Sequence, residues 1–236
     1  MLVIAGGDSF IYGSELADCK PGRGQLGHSH NTFPALLAKK HNLKYQCVAK
    51  PGLSNNAIAR LTYDACTTVE EDKFVMICWT FQNRYEFNFD NNWQTVNAWF
   101  SNPADSVKLH NNKDWDKFSE ALFKQVGIDS TYSFYSLFKD ILYMQNYLEN
   151  NRIPYLFTCV ENLFYNKNPQ TDLYTKNLYN QIHWNNWHFF DGGGFYDWGI
   201  KNQYQQGPYL HFLETAHVDA ANSITINPGD IVANTV

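Results

Sequence analysis

The run Phe74-Val75-Met76-Ile77-Cys78-Trp79 offers no polar position. A strand with one wet face alternates polar and apolar residues. A strand without alternation is covered on both faces, so it lies in the middle of three layers. Leu2-Val3-Ile4-Ala5 has the same character and ends in Gly6-Gly7. Strand-like runs follow at 45–49 and 153–160, and 187–190 reads as a fifth. Helical spacing fills the gaps. Residues 32–41 carry Leu36, Leu37 and Ala38 on one side, with Thr32 as cap and Pro34 in the first turn. Ser54 opens a helix through Ile58, Leu61 and Ala65. Residues 130–150 place Phe134, Leu137, Phe138, Ile141, Leu142, Met144 and Leu148 near helical spacing. Residues 212–224 read as a last helix. Such alternation predicts an α/β fold: a three-layer α/β/α domain with a five-stranded parallel sheet.

With 236 residues the chain suits a single domain, residues 1–236. Two stretches are too long for simple crossovers, about 81–129 and 162–209. Both are rich in aromatic residues and Asn, and they are expected to be insertions at the rim of the sheet, where ligands sit. Charged residues make up only 17% of the chain, against about a quarter in average proteins, and the net charge is −5. A nucleic-acid binder usually shows a basic stripe, and none is visible, so no nucleic-acid partner is expected. No apolar run approaches the roughly 20 residues of a membrane span. The strand starting at Leu2 leaves no room for a cleavable signal, so a cytoplasmic location is expected.

Cys19, Cys47, Cys66, Cys78 and Cys159 are odd in number, and three of them lie in strand-like runs; buried free thiols are expected. No zinc-type cysteine pair exists. His28 and His30 alone make a weak metal set, and no metal or cofactor is expected. Gly192-Gly193-Gly194 lacks the following lysine of a phosphate loop and reads as a turn.

Chemistry concentrates at Gly6-Gly7-Asp8-Ser9-Phe10. A turn from strand to helix lifts a serine hydroxyl to the carboxyl edge of the sheet. The serine amide, at a helix start, can point at a developing oxyanion. Gly7-Asp8-Ser9-Phe10 resembles the first block of the SGNH (GDSL-like) hydrolase family. Ala49-Lys50-Pro51-Gly52-Leu53-Ser54-Asn55-Asn56 with Arg60 resembles its second block, and Asn31-Thr32-Phe33-Pro34-Ala35-Leu36-Leu37-Ala38 is similar to the helix between them. Trp79-Thr80-Phe81-Gln82-Asn83-Arg84 stands where the third block belongs, with Asn83 matching and Phe81 and Arg84 replacing a glycine and an aspartate. Leu210-His211-Phe212, followed by His217, resembles the last block. The stretch Thr80, Arg84 and Glu86 is similar to phage-encoded members, which would place the chain in a host cytoplasm or a virion.

The resemblance implies a flavodoxin-like sheet and a serine esterase without a cofactor. Ser9 would be the nucleophile and His211 the base. The amides of Ser9 and Gly52 and the Asn83 side chain would hold the oxyanion. Implied substrates are small-molecule, lipid or carbohydrate esters; the oligomeric state stays open. The family's orienting aspartate lies three residues before the histidine, and here that position is Pro208. The imidazole partner is therefore open between a carboxylate from Asp191 or Asp197 and a neutral acceptor, a backbone carbonyl or the Gln206 side chain, which would leave a Ser–His dyad with low turnover. His217, one turn after Glu214, stays an alternative base. A catalytically weak, glycan-binding or virion-associated module is the alternative function. Its exposed rings would stack on sugars.

Overall fold

The computed structural model describes residues 1–19, 27–89, 91–97, 113–126, 131–161 and 172–226. Strands β1 (Leu2–Gly6), β2 (Lys44–Cys47), β3 (Lys73–Trp79) and β6 (Tyr155–Cys159) form one parallel sheet in the order β2-β1-β3-β6. Leu2 stands opposite both Lys44 and Lys73, and Val75 opposite Tyr155. Strands β4 (Arg84–Phe89) and β5 (Asn92–Asn97) form a separate antiparallel hairpin. The helices are α1 (Ser9–Tyr12), α2 (Phe33–Lys40), α3 (Asn55–Thr68), α4 (Lys113–Val126), α5 (Thr131–Asn150), α6 (Leu173–Tyr179), α7 (Phe195–Lys201) and α8 (Glu214–Ser223).

The sheet's alternation sorts its side chains into two cores. Val3, Ala5, Phe74, Met76 and Cys78 pack with Phe33, Leu37, Ala216 and Ala220 of α2 and α8. Leu2, Ile4, Val75, Ile77 and Trp79 pack with Ile58, Leu137, Phe138 and Ile141 of α3 and α5. The unbroken apolar character of β1 and β3 follows from this two-sided cover, and the three-layer parallel architecture is as expected.

The sheet has four strands instead of five. Residues 187–190 make a single parallel bridge, Phe157 to Trp187. His188 N–H donates to the Phe157 carbonyl at 2.8 Å. The strand stops there because Phe190 exchanges both backbone hydrogen bonds with Gly193, across a turn in which Asp191 and Gly192 take left-handed φ of 49° and 79°. In the first insertion, β4 and β5 form a small core with Tyr85, Val96 and Phe123. The five cysteines are free, and all except the half-buried Cys47 are buried.

The start of α2 departs from expectation. Thr32 makes no side-chain cap bond. Its hydroxyl lies 3.4 Å from Tyr45 Oη, while the Phe33 N–H donates to His217 Nδ1 at 3.2 Å. A buried imidazole from α8 thus serves an orphan donor of α2 and ties the two helices together. His217 is fully buried, stacked on Phe33 at 6.1 Å and close to Phe195 at 5.0 Å.

Burial, helped by the nearby His211, pulls the His217 ring from 6.5 down to about 3. Below 6.5 the unfolded chain takes up a proton that the folded ring refuses, so stability rises with pH across the window from about 3 to 6.5. The expected slope is about 1.4 kcal/mol per pH unit. Urea unfolding at pH 6 and pH 4 should show a loss about 2–3 kcal/mol larger for the unaltered chain than for His217→Gln. Equal losses in the two proteins would contradict this assignment.

Candidate active site

Ser9 follows β1 through the Gly6-Gly7-Asp8 turn and occupies the first position of α1, with 9% of its surface exposed. Asp8 is the N-cap. Its Oδ1 accepts the Phe10 N–H at 3.0 Å, which satisfies one orphan donor of the helix. Its Oδ2 accepts Thr80 Oγ1–H at 2.6 Å and Arg84 Nη1–H at 2.9 Å, and the carboxylate is completely buried.

The same guanidinium nitrogen, Arg84 Nη1, donates to the Leu53 carbonyl at 3.3 Å. It therefore bridges the turn that carries Ser9 and the turn that carries Gly52. Gly52 has φ of 78°, a left-handed value that a side chain would strain, and its missing Cβ faces open space. Neither the Ser9 N–H nor the Gly52 N–H donates to another described residue. Asn55 fixes the end of β3: its Oδ1 accepts the Thr80 N–H at 2.9 Å, and its Nδ2 donates to the carbonyls of Thr80 and Phe81 at 3.2 and 3.1 Å. Asn83 follows in the turn before β4, half-buried, with its side-chain oxygen unpartnered. Arg84 covers the Phe81 ring at 4.5 Å.

The Thr80, Arg84, Glu86 stretch is thus structural at this edge. Its first two residues hold Asp8. Glu86 takes a two-pronged ion pair from Arg60 at 3.0 and 2.7 Å, which docks the hairpin on α3. Asn56 reinforces the dock by bonding both backbone groups of Glu86, at 3.2 and 3.1 Å.

His211 lies just before α8, its ring 5.0 Å from that of Phe10, the residue after Ser9. His211 Nδ1–H donates to Glu15 Oε2 at 2.8 Å. A carboxylate only accepts, so Nδ1 carries a proton, and in the neutral ring the lone pair sits on Nε2. Glu15 also accepts the His211 N–H at 3.1 Å and the Tyr209 N–H at 2.9 Å. Burial alone would raise the Glu15 carboxyl, but these backbone and ring donors together hold it below the ordinary value. The expected Ser9–His211 hydrogen bond is not formed: Ser9 Oγ and His211 Nε2 have no partner among the described residues. In serine centres this bond often tightens only once substrate is bound.

The other sequence candidates fall elsewhere. His217 is the core histidine described above and makes no bond to Ser9. Asp197 accepts the Gly194 N–H at 3.1 Å at the start of α7, and Asp191 lies 3.8 Å from Lys201. The Gln206 side chain donates to the Leu210 carbonyl at 2.9 Å, away from the imidazole. None of these supplies the imidazole's partner. The rings of His28 and His30 lie 5.0 Å apart and tilted beside Tyr45, and no group of three potential metal ligands occurs among the described residues. His183 pairs with Glu149 at 2.8 Å, and His188 with Ser223 at 3.3 Å.

Glu15 was not singled out in the sequence. It lies six positions after Ser9, in the loop that leaves α1, and an isolated acidic residue there has no pattern to betray it. Only the return of residues 207–211 to that loop gives it a partner.

No protein-family profile and no curated protein matches the sequence. Among solved structures, the chain is similar to a lipolytic G-D-S-L family protein from Veillonella parvula DSM 2008, with 13% identity, a TM-score of 0.46 and 94% of each chain covered. It is also similar to a G-D-S-L family protein from Desulfitobacterium hafniense DCB-2, with 15% identity, a TM-score of 0.28, and 66% of this chain and 76% of the other covered. At this distance, residue roles rest on the geometry of this chain alone. Both of these solved structures are G-D-S-L family proteins.

Proposed function

We propose that the chain is a serine hydrolase of ester bonds. The observation that carries this reading is His211, held by Nδ1 with its Nε2 lone pair unused, packed on the residue that follows Ser9. Ser9 Oγ attacks the ester carbonyl carbon as Nε2 takes its proton. The C–O bond to the alcohol breaks as the imidazolium returns that proton to the leaving oxygen, and water then repeats the sequence on the acyl-serine. The unpaired amides of Ser9 and Gly52 hold the oxyanion, with the Asn83 side chain as a third donor. One such donor is worth about 3–4 kcal/mol in the transition state.

Arg84, bridging the two turns, keeps the two amides at a fixed separation. Tyr209, two residues before His211, is 80% exposed, and Leu210 is also exposed. These apolar groups next to the base suit an acylated carbohydrate, a lipid or a small ester. The alternative of a catalytically weak glycan-binding module drew its motive from the missing acceptor at Pro208. Against it stands the Glu15 carboxylate, which accepts from His211 Nδ1 at 2.8 Å.

A fluorophosphonate probe tests the reading. It is expected to label Ser9, found by mass spectrometry of the labelled peptide, and to fail on His211→Ala. Absence of labelling in the unaltered chain, together with no turnover of p-nitrophenyl acetate, would overturn the hydrolase reading.

A further inference from the structure

We propose that Glu15 is the positioning carboxylate of the His211 base, supplied from the loop after the nucleophile's own helix in place of the residue three before the histidine. The inference rests on the hydrolase reading above. Four observations carry it.

The contact is direct, 2.8 Å from Glu15 Oε2 to His211 Nδ1, with both side chains largely buried. The carboxylate is also aimed: it accepts the backbone N–H groups of Tyr209 and His211, so it cannot swing away without orphaning two donors. The chain makes room for it. A Cβ on Gly207 would come within 2.4 Å of Glu15 Oε1, so a side chain there would push the carboxylate from its place. The backbone is bent to deliver both partners, since Glu15 and Leu210 take left-handed φ of 72° and 66°. Non-glycine residues held there collect at functional sites, where the surrounding structure over-determines them.

A carboxylate on Nδ1 has two effects. It selects the tautomer whose lone pair sits on Nε2, and it stabilises the imidazolium that forms when Ser9 loses its proton. An amide cannot do both. In Glu15→Gln, an oxygen towards His211 places an NH₂ against the Tyr209 N–H. The flipped amide donates to Nδ1 and so selects the opposite tautomer. His217, buried and neutral, is the ring on which the charge of His211 acts, and it is unchanged in this variant.

The experiment combines ¹⁵N NMR of the His211 ring with kinetics on p-nitrophenyl acetate, using the full chain, E15Q and E15D. In the unaltered chain the neutral His211 ring is expected to carry its proton on Nδ1, against the Nε2–H form favoured in water. E15Q is expected to lose about 10³–10⁴ in kcat with KM nearly constant, and to move the acid limb of kcat/KM to lower pH, because the unassisted imidazole is a weaker base. E15D, which restores the charge, should recover part of the rate and bring the acid limb back. A merely structural Glu15 would lower stability and leave the acid limb of the surviving enzyme in place. That result, or a folded E15Q within tenfold of the parent kcat, would overturn the proposal. If E15Q does not fold, an Nε2–H ring in the unaltered chain would still overturn it. If Ser9 neither labels nor turns over, the hydrolase reading fails while the ring tautomer still decides the Glu15 assignment.

Discussion

Replacing Ser9 by alanine is expected to lower kcat for p-nitrophenyl acetate by about 10⁶, the loss typical of removing a serine nucleophile. Ser9 is the first residue of α1, and its backbone amide survives the substitution. The oxyanion donors therefore remain, and a residual acceleration of about 10³–10⁴ over water is expected from them and from binding. Stability should change little, because the Ser9 hydroxyl makes no hydrogen bond with a described residue and only Asp8 supplies the cap. Kinetics on purified S9A, with thermal melting as the control, checks both statements. A variant within a hundredfold of the parent would remove Ser9 from the nucleophile's place.

The second large effect belongs to Asp8. Alanine there leaves the Arg84 guanidinium without its ion-pair partner and Thr80 Oγ1 without its acceptor, where Asp8 and Thr80 are buried and Arg84 is largely so. Breaking a buried ion pair by removing one partner costs about 3–5 kcal/mol. The lower end is expected here, because Glu161 still acts on Arg84 electrostatically. Burial draws the guanidinium below its ordinary value, and Asp8 is the main force against it. A loss of about 3 kcal/mol in a chain of this size corresponds to roughly 6–12 °C in Tm. The double variant Asp8→Ala with Arg84→Met should cost less than the sum of the two single changes, because it leaves no lone charge behind. Additive losses would show that Arg84 is satisfied without Asp8. The activity of Asp8→Ala should fall as well, since the Asp8–Arg84–Leu53 bridge sets the spacing of the Ser9 and Gly52 amides.

The sequence determined whatever depends on local pattern. Unbroken apolar runs at β1 and β3 required cover on both faces, and both cores follow from that alternation. Ser54 caps α3 as its position before the helix required, accepting the Ala57 N–H at 3.4 Å. The Gly-Asp-Ser turn announced itself because a tight turn into a helix demands those residue types. Tertiary structure decided what depends on pairing between distant segments. The fifth strand reduced to one bridge because the turn after Phe190 captures its backbone bonds. Thr32 lost its role as cap to a histidine 185 positions away, at 217, because α8 packs on α2. In the sequence Arg84 reads as a replacement for an aspartate and as part of the Thr80, Arg84, Glu86 stretch, yet folding makes it the link between two turns. Glu15 was invisible for the same reason. A carboxylate's partner is set by which loop returns to it, and residues 207–211 close over Glu15 across nearly the whole chain. Local chemistry thus pointed to Ser9 and His211 as candidates, and only the closure of the fold set the Glu15 carboxylate against the His211 ring.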